Sequence, residues 1–301
     1  MFINNVSADG NKIDGLGSVF SFKLMSYALS QVYGLKYIDN KLKNIVGNEF
    51  LNLSQEDYDQ KLNNYLNFDY KNTALSEHEP FDIFFAHPYK PSLSRYQGRI
   101  NNWKRDLFFS EFRRNINKIR DQKILSELSK SIPSDTNSGF FKDDINIVFH
   151  LRTALPEIDL FYQPNRHYFY GSYKDTDRVN NLIRQIEHSE QDKKLNFHII
   201  GLGNEKLFEK ICPMFDRNEI FVHSQLDIFQ SFSMMIHNDM FIGTQSGLSY
   251  IAHLLSPKKT IFPLAHSFGA KPLYSGTILL NKNGLLENFD FTKNLLDVTK
   301  I

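Results

Sequence analysis

Met240-Phe-Ile-Gly-Thr-Gln-Ser-Gly-Leu-Ser-Tyr-Ile-Ala-His-Leu-Leu255, followed by Thr260-Ile-Phe262, spells one complete strand, loop, helix and strand. Three apolar residues run into Gly243, polar residues follow, and Leu248, Ile251, Ala252 and Leu255 then recur with the spacing of one helix face. The same alternation extends upstream. Ile145 to Leu151 is a strand, Asp177 to His188 a helix, and Leu195 to Ile200 a strand. Glu205 to Ile211 reads as a helix and Ile220 to Val222 as a strand. Ser224 then caps a helix bearing Ile228, Phe229, Phe232, Met235 and Ile236. Short apolar runs alternating with amphipathic helices specify a parallel sheet covered on both faces, a Rossmann-like α/β unit.

The first third is more mixed. Phe22, Met25, Ala28, Leu29 and Val32 predict a helix ending at Gly34, which is placed for a left-handed turn. Leu35 to Ile38 and Phe81 to Ala86 read as strands, and Ser54-Gln-Glu-Asp57 as a capping box opening a helix to about Leu66. Asn101 to Ser131 reads as helical. Pro133-Ser-Asp-Thr-Asn-Ser-Gly139 is a run of turn formers, and the domain boundary is expected there. The expected organisation is an N-terminal α/β domain over 1–135, a Rossmann-like domain over 140–285 and a tail over 286–301.

The chain has 301 residues, with 35 Lys and Arg against 34 Asp and Glu. A formal net charge of +1 argues against a nucleic-acid or anionic-membrane binder, since clustered positive charge supplies most of that affinity. The single cysteine, Cys212, excludes an internal disulfide, and no apolar run approaches the roughly 20 residues of a spanning helix. Nor does the beginning of the chain have the pattern of a secretory signal. These features predict a cytoplasmic globular protein.

Open parallel sheets bind ligands beyond the carboxyl ends of their strands, so the residues there carry the candidate chemistry. Gly243, Thr244, Ser246, Gly247 and Leu248 lead into a helix whose first amides and dipole suit a phosphate; equally, Thr244 or Ser246 caps that helix. His150 and Arg152, two apart on a strand, leave its end on one side, and Arg152 offers a planar charged fork. An ordinary polar strand end is the alternative. Gly15 and Gly17 precede the first long helix, where a tight turn or a close approach to ligand would need them. Asp57-Tyr-Asp59 and Asp175-Thr-Asp177 have the Asp-x-Asp spacing of a metal motif but sit where acidic residues cap helices. No metal site is expected.

Taken together, the Gly15-Leu16-Gly17 turn, the His150-Leu151-Arg152 strand end and the segment from Asp239 to Leu255 resemble the motifs of the fucosyltransferase superfamily of GT-B type. That superfamily includes bacterial α1,2-, α1,6- and protein O-fucosyltransferases. The resemblance runs from residue 1 to about 263. It implies two Rossmann-like domains facing across a cleft and an inverting, metal-independent glycosyltransferase. The donor would be a nucleotide diphosphate sugar, GDP-fucose in that family, and the acceptor a glycan hydroxyl; no other cofactor is implied. Arg152 would hold the diphosphate together with Ser246, Gly247 and Leu248. His150 would lie beside the nucleotide, and Gly15 and Gly17 would line the cleft.

Glu157, or Asp159 beside it, is the candidate base for the acceptor hydroxyl; both read equally as solvated loop carboxylates. Arg166 and His167, within the aromatic stretch from Phe161 to Tyr173, are candidate acceptor contacts, with a packed hairpin as the alternative. The family usually places an acidic residue shortly after the Arg, whereas this chain continues Thr153-Ala-Leu-Pro156. That departure keeps a second class open: a non-catalytic nucleotide-sugar or glycan-binding module, or a transferase with another donor.

Overall fold

The computed structural model describes residues 2–3, 16–34, 37–38, 45, 51–66, 83–85, 100–102, 105–134, 139–141, 143–151, 176–201, 208–244, 246–256, 259–263, 277–280 and 286. The chain divides into two compact units, Met1–Pro133 and Ser134–Ile301.

The first unit holds a parallel sheet of β1 (Phe2–Ile3), β2 (Tyr37–Ile38), β3 (Ile83–Phe85) and β4 (Ile100–Asn102), in the order β2-β1-β3-β4. Helix α1 (Leu16–Val32) buries Met25, Ala28, Leu29 and Val32 as the stripe requires. It also buries Phe20, Ser21, Lys23, Leu24, Ser26 and Ser30, so more than one face is enclosed. Gly34 closes it at φ +63°, a conformation that costs glycine little. Helix α2 (Gln55–Tyr65) starts at Ser54, whose Oγ accepts the Asp57 amide at 3.1 Å. Asp57 meets the Ser54 hydroxyl, and Asp59 Oδ1 accepts from Gln55 Nε2 at 2.9 Å, so both acids are occupied locally.

The continuous helix expected from Asn101 is corrected. Asn101 and Asn102 belong to β4, and three helices follow: α3 (Arg105–Arg114), α4 (Ile116–Asp121) and α5 (Ile124–Lys130). One break falls at Asn115, whose side-chain amide binds Glu111 O at 2.9 Å in competition with the backbone. The other falls at Lys123, left-handed at φ 57°.

The second unit contains β5 (Ile145–His150), α6 (Thr176–Ser189), β6 (Leu195–Ile200), β7 (Glu219–His223), α7 (Ile228–Ile236), β8 (Met240–Ile242), α8 (Gly247–Leu255), β9 (Lys259–Pro263) and β10 (Thr277–Leu280). Its six strands are parallel and lie in the order β10-β9-β8-β5-β6-β7. Counted from β5, that is 6-5-4-1-2-3, the order of a doubly wound sheet. Ile147, Phe149, Phe197, Ile199, Ile242 and Ile261 form one face and pack with Val179, Leu182, Ile183 and Ile186 of α6.

The start of α7 is also corrected. Its cap is Asp227, not Ser224: Gln230 N–H donates to Asp227 Oδ1 at 2.8 Å, while Asp227 N–H donates to Gln230 Oε1 at 3.1 Å. The reciprocal pair satisfies two amides at once, which a lone serine farther upstream does not. The expected helix from Glu205 falls mostly outside the described residues. Strand β10, beyond the last strand read from sequence, pairs with β9 along Thr277–Leu280.

Candidate nucleotide site at the sheet switch point

In this sheet β5 and β8 are neighbours from which the chain winds in opposite directions, the topological switch point beyond whose carboxyl ends doubly wound sheets bind ligands. Helix α6 packs on the face bearing Ile147 and Phe149. Helix α8 serves the opposite face, where its His253 Nδ1 meets Thr260 Oγ1 at 2.5 Å. One residue past the paired Phe149 and Ile242 stand His150 and Gly243.

There the sequence candidates converge. His150 Nδ1 lies 2.5 Å from Ser249 Oγ in the first turn of α8. The Thr244 amide donates to the same Oγ at 3.1 Å. Ser246 is the N-cap of α8, with Oγ accepting the Ser249 amide at 3.0 Å, and its own N–H returns to Thr244 O at 2.8 Å. Gly243 N–H is anchored on Ile261 O at 2.9 Å. Thr244 and Ser249 are fully buried and His150 is half-buried. Gly247 and Leu248 open the helix, and a helix's first amides find no carbonyl within it. The capping role of Ser246 does not conflict with a phosphate cradle, because the cap uses the Ser249 amide and not those of Gly247 and Leu248.

Gly17 is the second residue of α1, in the other unit. Gly15, Arg152, Glu157, Asp159, Arg166 and His167 lie outside the described residues. Leu151, immediately before Arg152, donates its amide to Ile200 O at 2.7 Å. A Cβ on Gly201, which follows β6, would stand 2.9 Å from Leu151 O and 3.1 Å from Phe208 Cζ. Glycine is therefore required where β6 leaves the sheet beside Leu151.

Sequence reasoning passed over a second polar line on the same face. Asn146 Nδ2 donates to Asp144 O at 2.7 Å, which turns Oδ1 toward His198 Nε2 at 3.0 Å. His198 Nδ1 in turn lies 3.0 Å from His223 Nε2. His198 stacks on Phe221 and His223, while the edges of Phe141 and Phe140 meet the two imidazoles. Burial pushes the His223 imidazole below its ordinary value of 6.5. The available signal was one histidine in the second half of each of three strands, at 150, 198 and 223; that they share a face follows from the register, which pairs Ile200 with both His150 and His223.

Among the described residues no cluster of three His, Cys, Asp or Glu could hold a metal ion, and no helix is long and apolar enough to cross a membrane.

No protein-family model matches the chain, and no curated protein matches it. Solved structures with a similar course include the E. coli heptosyltransferase WaaC with ADP-2-deoxy-2-fluoro heptose, at 10% identity and TM-score 0.42, covering 95% of this chain and 94% of that one. WaaC with ADP is similar at 9% identity and TM-score 0.43, covering 96% of each chain.

Proposed function

We propose that the protein is an inverting, metal-independent glycosyltransferase acting in the cytoplasm. It would transfer a sugar from a nucleotide diphosphate sugar to a glycan hydroxyl. One observation carries this reading: the helix start at Gly247 and Leu248, the Thr244 loop and His150 converge at the switch point of a doubly wound sheet. Backbone amides at a helix N-terminus complement a diphosphate in both geometry and charge. Each of the two α/β units would be one lobe of a GT-B transferase, and the first, whose sequence carries Gly15 and Gly17, would serve the acceptor.

Displacing a nucleoside diphosphate from an anomeric carbon builds negative charge on the departing phosphate. In this reading Arg152 and the α8 amides stabilise that charge as it grows. Glu157, with Asp159 as the other candidate, takes the proton of the attacking hydroxyl, and Arg166 and His167 hold the acceptor. The motif resemblance makes GDP-fucose the donor to test first. The absence of an acidic residue soon after Arg152 makes a non-catalytic binding module the second reading.

Titration of the whole chain with GDP, UDP, ADP and their sugars tests both. Binding accompanied by donor hydrolysis or transfer supports the enzyme. Binding without turnover supports the module, and no binding to any nucleotide removes both.

A further inference from the structure

Ser249 has no exposed surface, and its Oγ has two partners, the Thr244 amide at 3.1 Å and His150 Nδ1 at 2.5 Å. A backbone N–H can only donate, so the first contact takes a lone pair of the oxygen. The hydroxyl proton then needs an acceptor, and the unprotonated Nδ1 of His150 supplies it. Were Nδ1 protonated, Oγ would receive two N–H groups and its own proton would be buried without a partner. The penalty for such an orphan corresponds to about 5- to 150-fold in population.

We propose that Ser249 is a positioning residue that fixes His150 as the Nε2–H tautomer, so that the ring's other nitrogen is a donor and not an acceptor. The Ser249 amide is tied to Ser246 Oγ at 3.0 Å, and Ser246 N–H to Thr244 O at 2.8 Å. Loop, cap and hydroxyl thus close a circuit that favours the imidazole proton on the nitrogen away from Ser249. A donor at the end of β5 selects an acceptor atom, such as a phosphate or ribose oxygen of a nucleoside diphosphate. That last step, the ligand class, rests on the proposed function; the tautomer does not.

The test uses the full chain labelled with 15N-histidine, in two-bond 15N–1H correlation spectra at a pH where the ring is neutral. His150→Gln identifies the His150 signals by their loss. The ligand-free wild type is expected to carry the proton on Nε2. Ser249→Ala is expected to shift the tautomer ratio toward Nδ1–H by at least about fivefold, and Ser249→Thr to restore the wild-type pattern. If Ser249→Ala fails to fold, Ser249→Cys, similar in volume and a weak donor, takes its place with the same expectation. An Nδ1–H wild type, or a ratio unmoved by loss of the hydroxyl, overturns the proposal. Titrating the same sample with GDP, UDP and ADP separates the two readings. An Nε2–H ring with no nucleotide bound supports the positioning role and overturns the nucleotide reading, while bound nucleotide beside an Nδ1–H ring does the reverse.

Discussion

Replacing Ser246 separates helix capping from phosphate binding. Its Oγ accepts the Ser249 amide at 3.0 Å, and Asp and Asn can fill that N-cap role as well as Ser. Ser246→Ala removes the cap and is expected to destabilise the protein by about 1 kcal/mol, a fall of roughly 2–4 °C in melting temperature for a domain of this size. Ser246→Asn and Ser246→Asp keep the cap, so their melting temperatures should stay near wild type. Binding should divide the two. A diphosphate on the Gly247 and Leu248 amides lies about 5 Å from a carboxylate at this position, and one pair of like charges there costs about 3 kcal/mol at an effective dielectric of about 20. Ser246→Asp should therefore weaken a nucleoside diphosphate by about 10²-fold at low salt, with the loss shrinking as salt is added. Ser246→Asn should weaken it far less, and a nucleoside without phosphates should bind all three proteins alike. Calorimetric titration beside thermal melts measures both quantities. Equal losses in Asp and Asn, or undiminished diphosphate binding in Asp, would refute the placement of phosphate at this helix start.

Arg152→Ala is expected to lower transfer by on the order of 10²-fold with folding intact, and initial rates showing no change would remove Arg152 from the mechanism. Gly201→Ala places a methyl 2.9 Å from Leu151 O, so both lower urea stability and weaker nucleotide binding are expected; a wild-type denaturation midpoint would show that the two strand ends can separate without cost. Because burial holds His223 below 6.5, the unfolded chain takes up that proton first as pH falls. Its contribution to stability is intact above about pH 6.5 and declines below it. Urea midpoints compared between about pH 7.5 and 5.5 should fall less in His223→Phe than in wild type, and identical slopes would assign the effect elsewhere.

How much of this architecture the sequence discloses depends on how much information each segment carries. Buried parallel strands such as Ile145–His150 and Leu195–Ile200 are short, mostly apolar runs, and the helices between them keep a clean stripe, so the second unit's alternation is readable along most of its length. Strands β1 and β4 are only two and three residues long, too short to express any period, and β4 is two-thirds asparagine. The position of the candidate site was proposed for a related reason. Apolar strands that run into His150 or into Gly243 and Thr244 change character at their carboxyl ends, the edge at which open parallel sheets bind ligands. Strand order was not legible, because a 6-5-4-1-2-3 sheet and other windings share one pattern of runs; only pairing reveals that His150 and Thr244 end adjacent strands.

The partners of the polar groups were the hardest part to read. Ser249 scans as one more hydroxyl in a helix start, and His198 as a core histidine in a strand. Each acquires meaning through contacts 99 and 52 residues away, at His150 and Asn146 respectively. Both contacts follow from one demand: a polar side chain with no exposed surface must find a partner or weaken the fold. On the α8 face the demand is met by the Asn146–His198–His223 line and by the His150–Ser249–Thr244 circuit, and at α6 by Asn218, whose Nδ2 donates to the buried Glu187 carboxylate at 2.7 Å. The opposite face is packed with aliphatic and aromatic side chains against α6. The polar side chains of β5 and β6 themselves, Asn146, His150, Asn196 and His198, therefore share the face that carries α8.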